Sequence, residues 1–305
     1  GPSALVIQQA TTTVVITSTT PNPSAAGQTV TVAATVTLTN GTGVLGGAVA
    51  ITAAGSAGCT ITVPAASASP FSGTCDTSFS NFGADQAVTA TYTPDDADDY
   101  AGATNAAYLH SVNTADTTIG SVLFAPASPQ VGDAVALSYD VAGGVPPYAG
   151  GSVAVLVDAI SVTCSSSSFD TDTGTGDCTI PASVFQSAAS YTVRIEFTGS
   201  GNDGSSNTEQ SLVVAARSTS TTVVPSPASP QPAGTSISFA VTATPSGGSF
   251  EAGTTASGPA YVCLSTAPVC DSASALCTAT LAGASGAGSG SCSFTFDDAA
   301  SRDLV

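Results

Sequence analysis

Pro21-Asn22-Pro23-Ser24-Ala25-Ala26-Gly27-Gln28-Thr29-Val30-Thr31-Val32 returns twice more along this chain. The second copy is Pro126-Ala127-Ser128-Pro129-Gln130-Val131-Gly132-Asp133-Ala134-Val135-Ala136-Leu137. The third is Pro227-Ala228-Ser229-Pro230-Gln231-Pro232-Ala233-Gly234-Thr235-Ser236-Ile237-Ser238-Phe239, one residue longer before its glycine. The glycines lie 105 and 102 residues apart. A period near one hundred matches a whole β-sandwich domain and is too long for a solenoid repeat. Proline fixes φ and removes a ladder donor, so the stretch interrupts a sheet. The glycine then allows a tight turn into a strand. Val30, Val32 and Ala34 alternate with Thr29, Thr31 and Ala33, the period of a half-buried strand. Val135, Leu137 and Tyr139, then Ile237, Phe239 and Val241, give the same single apolar face.

The 305 residues accommodate three such units. Thr, Val, Ala, Ser and Gly dominate, and no long stretch carries helical periodicity. Many short strands between Gly, Pro, Ser and Asn turns predict an all-β chain of three tandem immunoglobulin-like β-sandwiches. Tryptophan is absent, so these are not antibody-type domains with a core Trp. Cores built of Val, Ile, Leu, Ala and a few Phe and Tyr are lean, which makes covalent staples useful.

Eight cysteines allow roughly a hundred pairings. They lack zinc-site spacing, and repeat equivalence selects one scheme. Cys59 pairs with Cys75, 16 residues on, Cys164 with Cys178, 14 on, and Cys277 with Cys292, 15 on. Cys263 and Cys270, 7 apart, add a clip in the third repeat. Closing a loop of this size stabilises by about 3 kcal/mol in the chain-entropy model. An even count of cysteines paired within repeats points to an oxidising, extracellular or cell-surface setting.

The net charge is −18, from 21 acids against three arginines, with no lysine. Nucleic acid and anionic lipid are therefore excluded as partners, since both need a basic footprint. No signal peptide or membrane-spanning run is read here, so membrane insertion is not expected of this segment, and in a secreted protein it is a mature or excised stretch. Trypsin-like proteases find at most three sites, which suits an exposed stalk.

Before each Pro-rich entry comes an apolar stretch: Ser3-Ala4-Leu5-Val6-Ile7-Gln8, Ala107-Tyr108-Leu109-His110-Ser111-Val112 and Gln210-Ser211-Leu212-Val213-Val214-Ala215. The latter two read as last strands of repeats. The expected organisation is residues 1–10 as an orphan last strand, then repeats at 11–112, 113–216 and 217–305. The third has only 13 residues after Cys292, whereas 34 separate Cys75 from Leu109, so it is read as lacking its last strand. Two readings follow. Either the chain is a window of a longer array, or Leu5, Val6 and Ile7 of one subunit complete repeat three of the next, giving a head-to-tail filament.

The order Thr12-Thr13-Val14-Val15, then Pro-x-x-x-Gly, an alternating Val/Thr strand, a Cys pair and Val88-Thr89-Ala90-Thr91-Tyr92-Thr93-Pro94-Asp95-Asp96 resembles bacterial immunoglobulin-like repeats. Tyr191-Thr192-Val193-Arg194-Ile195-Glu196-Phe197-Thr198-Gly199-Ser200-Gly201-Asn202 resembles their closing segment. The resemblance implies tandem repeats in secreted or surface-anchored proteins, stalks and adhesins among them, with no shared catalytic residues. The Cys263–Cys270 pair departs from the simple repeat.

Two acidic clusters are candidate calcium loops, since hard cations take alternating oxygens with glycine at the bend. One is Asp95, Asp96, Asp98 and Asp99, at a place where a linker-facing loop is expected. The other is Asp170, Asp172 and Asp177. The bland reading of each is a solvated turn, and apart from calcium no cofactor is expected. Asp172-Thr173-Gly174 matches the aspartic-protease tripeptide, but that chemistry needs two such loops and the chain has one. His110, the only histidine, has no partner for a triad or a metal. The chain is therefore expected not to be an enzyme. Its expected role is a structural stalk or filament subunit that supports adhesion, with copies of itself or adjacent repeats as partners. The alternatives are a module that binds a surface glycan or host protein, and an accessory region of a larger secreted enzyme. Non-reducing peptide mapping is expected to recover each cystine within one repeat. Cys59 joined to any cysteine outside residues 11–112 contradicts the scheme.

Overall fold

The computed structural model describes residues 8–250, 255–284 and 286–305. Repeat one contains β1 (Thr12–Thr20), β2 (Ser24–Ala25), β3 (Thr29–Leu38), β4 (Leu45–Ala53), β5 (Cys59–Ser67), β6 (Phe71–Ser78), β7 (Gly83–Pro94), β8 (Ala103–Thr104) and β9 (Tyr108–Asn113). Two sheets face each other, β1-β3-β6 and β2-β9-β7-β4-β5, with β8 also on β7. Alternation dictates the burial. Val30, Val32, Ala34 and Val36 of β3 point inward against Val49 and Ile51 of β4 and Val88, Ala90 and Tyr92 of β7. The threonines between them face solvent or the sheet rim.

The Pro-rich stretch is where the first strand changes sheets. β1 pairs antiparallel with β3, but after Pro21 and Pro23 β2 pairs parallel with β9, Ser24 against Val112 and Ala25 against Asn113. Two residues without a ladder donor release the chain from one sheet, and it is recaptured by the other. This crossing is the immunoglobulin-like arrangement. The glycine that ends it has φ of +75° at Gly27, +81° at Gly132 and +85° at Gly234, a region that favours glycine. Each donates its N–H to the carbonyl of a phenylalanine later in the same repeat: Phe79 at 2.7 Å, Phe185 at 2.8 Å and Phe296 at 2.7 Å.

Repeat two holds β10 (Thr117–Ala125), β11 (Val135–Gly143), β12 (Ser152–Val157), β13 (Ile160–Ser161), β14 (Ser166–Phe169), β15 (Thr175–Ile180), β16 (Ala189–Thr198) and β17 (Ser206–Val214). Its sheets are β10-β11-β15-β14 and β13-β12-β16-β17. Gln130 makes the parallel bridge to Ala215 that corresponds to the β2–β9 pair. The core gathers Val135, Leu137, Ile180, Phe185, Val193 and Ile195.

Repeat three holds β18 (Thr219–Ser226), β19 (Ser236–Pro245), β20 (Gly258–Val262), β21 (Cys277–Ala284) and β22 (Ala287–Thr295), in one sheet of order β18-β19-β22-β21-β20. Phe239, Val241, Val262 and Ala279 form its buried centre. Beyond β20, Cys263 and Val305 exchange backbone bonds of 3.1 and 3.0 Å, so the segment at Leu304 lies where β7 and β16 pair with their neighbours. Among the described residues repeat three carries no counterpart of β9 or β17.

The disulfides are Cys59–Cys75, Cys164–Cys178, Cys263–Cys270 and Cys277–Cys292, with Cα–Cα separations of 5.9, 5.5, 5.6 and 5.8 Å. The first ties β5, the edge of one sheet, to β6, the edge of the other, and so closes the sandwich where hydrogen bonds cannot. Cys263–Cys270 holds the loop that follows β20.

His110 sits at the strand crossing, fully buried. Its ring stacks on Phe79 with centroids 4.4 Å apart. Nδ1 lies 3.0 Å from the Thr19 hydroxyl on β1 and Nε2 3.0 Å from the Ser24 hydroxyl on β2, so both nitrogens are held by structural partners. Burial without a counter-charge pushes its pKa below the ordinary value. The folded state therefore prefers neutral imidazole, and the unfolded chain binds the proton first. Stability is full above the unfolded pKa and falls as the pH drops through it toward the folded value. The urea midpoint of repeat one is expected to fall between about pH 7.5 and about pH 5.5, and His110→Gln to flatten that dependence.

Candidate functional site at the inter-repeat junctions

The chemistry-bearing side chains do not converge on a catalytic cleft. They converge on the boundaries between repeats. At the first boundary Ala115 belongs to both neighbours. Its methyl group is part of the core of repeat one. Its N–H donates to Asn202 O at 2.7 Å and its carbonyl accepts from Gly204 N–H at 2.8 Å, in the turn between β16 and β17. Asp203 in that turn is 6 % exposed, and its Oδ1 accepts the Val145 N–H at 2.8 Å. This points the loop between β11 and β12 at repeat one, where Val145 packs on the core. A methyl group built on Gly27 would lie 3.3 Å from Val145 Cγ2. Asn202 Oδ1 accepts the Phe82 N–H at 2.7 Å and closes the far side.

The second boundary repeats the plan with other residues. The loop between β19 and β20 meets Gly132. Ser249 N–H donates to Gly132 O at 2.7 Å, and a methyl built on Gly132 would lie 3.1 Å from the Phe250 ring. Register fixes what fills the linker. Asn113 and Ala215 receive the N–H groups of Ala26 and Val131, at 2.9 and 3.0 Å, and two residues on stand Ala115 and Arg217. Arg217 Nε donates to Val131 O at 2.7 Å and Nη1 to Ser246 O at 3.4 Å, and Nη2 pairs with the Asp133 carboxylate. Asp133 also accepts the Gln130 N–H at 2.8 Å. The Arg217 side chain is only 9 % exposed. A guanidinium so enclosed needs partners on every side, and here both repeats supply them.

The same register recurs at Ala10. It bridges Tyr100 in parallel, donates to Asp99 O at 2.8 Å and accepts from Ala101 N–H at 2.9 Å, as Ala115 does with Asn202 and Gly204. Gln9 Nε2 donates to Ala97 O. The acidic cluster thus forms the turn on which residues 8–10 rest. Within it Asp96 Oδ1 accepts the N–H groups of Asp98 and Asp99, both at 3.1 Å. Asp170 likewise accepts from Asp172 and Thr173 at 2.9 and 3.3 Å, bonds that hold its carboxyl below the usual carboxylate range. Asp177 accepts from Ser168. Among the described residues no three His, Cys, Asp or Glu side chains are grouped to hold a metal ion. Leu5, Val6 and Ile7 lie outside the described residues.

The sequence reading missed Val145, Asp203, Phe250 and Arg217. A signal existed for some of them. A Gly-Gly pair stands just before Val145 and shortly before Phe250, and Arg217 is one of only three cations, three residues past the end of β17.

No protein-family model matches the chain, and no curated protein sequence matches it. Solved structures similar to it include the D1–D4 ectodomain fragment of ICAM-5, at 12% identity and TM-score 0.42 over 93% of this chain and 75% of that one. A second is a protein from Corynebacterium diphtheriae described as membrane-anchored, at 15% identity and TM-score 0.29 over 83% of this chain and 65% of that one. A third is a marsupial T cell receptor, at 8% identity and TM-score 0.26 over 96% of this chain and 98% of that one.

Arg217→Ala leaves Val131 O and Asp133 short of their donors and is expected to destabilise the second junction by about 1–3 kcal/mol. Differential scanning calorimetry is expected to show repeat three melting earlier while repeat one is unchanged.

Proposed function

We propose that this chain is a non-catalytic extracellular spacer, a stalk or filament segment of a bacterial surface that holds its ends apart and supports adhesion. The observation that carries the reading is the double use of Ala115 and Arg217, each locked into both neighbouring repeats. Such linkers couple one sandwich to the next, where a flexible tether would make no bonds to either. The chemistry available agrees with a passive role. The one histidine is buried between two hydroxyls, and there is no lysine. Four cystines in a lean core suit an oxidising exterior. In this reading the acidic turns work through backbone bonds and need no resident cofactor.

The reading has two forms: a window of a longer stalk, and a filament in which residues 3–10 of one subunit serve the last repeat of another. In repeat three the Ala233 N–H and Gln231 carbonyl, which correspond to groups paired with a last strand in repeats one and two, have no backbone partner among the described residues. In the first form a later segment of the chain pairs with this edge, and in the second a strand of another copy does.

Small-angle scattering tests the spacer. The expected result is an extended particle fitted by one fixed arrangement of repeats, unchanged by millimolar calcium. A broad distribution of inter-repeat angles overturns the spacer reading. Compaction or extension on adding calcium overturns its cofactor-free part.

A further inference from the structure

We propose that Asn40 and Gly41 form a self-modifying site, at which the loop between β3 and β4 converts its own asparagine to a carboxylate with water as the only reagent. The proposal stands apart from the spacer reading and does not depend on it.

The step needs a free nucleophile, a free leaving group and a donor for the charge that develops on the attacked oxygen. Both residues are exposed in the loop after β3. The nucleophile is the Gly41 backbone nitrogen, whose N–H makes no hydrogen bond among the described residues. The leaving group is Asn40 Nδ2, which is likewise unbonded among them, since the one bond of that side chain is made by its oxygen. The donor is the Thr11 N–H, 2.5 Å from Asn40 Oδ1. Thr11 is itself fixed: its carbonyl accepts the Thr39 N–H at 2.8 Å, and the two threonine hydroxyls lie 2.7 Å apart. These bonds carry the β1–β3 ladder one step past the Thr12–Leu38 pair, so the sheet ends by aiming a backbone N–H at the amide oxygen. Gly41 has φ of +83°, and a methyl built on it would lie 3.3 Å from Ala10 Cβ. Without a side chain there, nothing crowds the attacking nitrogen.

The chemistry balances without an oxidant or a reductant. The Gly41 nitrogen bonds to Asn40 Cγ, the Cγ–Nδ2 bond breaks, and the Gly41 proton leaves with Nδ2 as ammonia. Water then opens the five-membered imide at either carbonyl, giving an aspartyl or an isoaspartyl link. No other asparagine combines these conditions. Pro23 follows Asn22 and has no N–H. The Phe82 N–H after Asn81 is spent on Asn202 Oδ1, and the Asp203 N–H after Asn202 on Ser200 O. Asn105 commits Nδ2 to Ala106 O. Asn113 and Asn207 are followed by threonine, whose branched side chain crowds the nitrogen. The product carboxylate lines the same hollow as Asp99 and Tyr100, so each conversion sets a new negative charge beside the acidic turn that holds residues 8–10. No enzyme is needed, and converted copies accumulate with the age of the chain.

Peptide mapping by mass spectrometry tests this, on the full chain incubated in mildly alkaline buffer, folded in one arm and unfolded in urea with its cystines intact in the other. The expected result is conversion at Asn40 ahead of every other asparagine, with isoaspartate among the products, and at least as fast in the folded chain as in the unfolded one. Thr11→Pro removes the donor and is expected to slow Asn40 conversion in the folded chain by about tenfold or more, with no effect in urea. Should that variant fail to fold, the comparison of folded with unfolded wild type decides. An Asn40 that stays intact, or that converts more slowly folded than unfolded, overturns the proposal. Equal rates in folded wild type and folded Thr11→Pro overturn the role of the Thr11 N–H.

Discussion

A single hydrogen bond, from the anchor glycine's N–H to a phenylalanine carbonyl, holds each repeat's two ends of the core together. It forms only because the glycine takes a left-handed conformation. The prolines release the first strand from one sheet, and the turn follows once the other sheet has captured it. In repeat one the crossing is packed by His110, which stacks on Phe79 and touches the hydroxyls of Thr19 and Ser24. The phenylalanine that accepts the bond is thus also the one that supports the ring. The turn closes the crossing, and the crossing sets β2 beside the last strand of the repeat, β9.

The same turn is also the floor of the next boundary. Gly27 and Gly132 lie directly under the loop of the following repeat: a methyl built on Gly132 would come within 2.9 Å of Ser249 O and one on Gly27 within 3.3 Å of Val145 Cγ2. One element therefore serves the fold of one repeat and the placement of the next. The first junction is apolar and backbone-mediated, through Ala115 and Val145. The second spends one of the chain's few cations, buried as an ion pair with Asp133 and bonded to carbonyls of both repeats. In a chain with so little charge, an enclosed arginine at a linker makes that junction more sensitive to substitution than the first.

The architecture was legible because its determinants are local. Proline, glycine and period-2 alternation act within a dozen residues, and cystine spacing within a repeat follows from loop closure. The junctions were not legible for the opposite reason. Nothing near Ala115 distinguishes it from other alanines, and its role comes from a turn nearly ninety residues later, at Asn202–Gly204. Val145 and Phe250 read as ordinary loop residues until the preceding repeat is laid against them. The acidic cluster at Asp95–Asp99 was read as a linker-facing loop with calcium as one candidate occupant. It faces residues 8–10 and holds them with the backbone carbonyls of Ala97 and Asp99. Residue type alone does not reveal which oxygens a turn presents.

Amide hydrogen exchange tests the central claim, that the linkers are integral to both neighbours. The Ala115, Gly204 and Ser249 amides are bonded across a boundary, and Val32 and Leu137 sit in sheet centres. If the junctions are part of the folded units, the boundary amides are expected to be protected to within about tenfold of those in the sheets. Exchange of the boundary amides at the rate of exposed turns, with the sheets still protected, would contradict the account and leave three independently tethered domains.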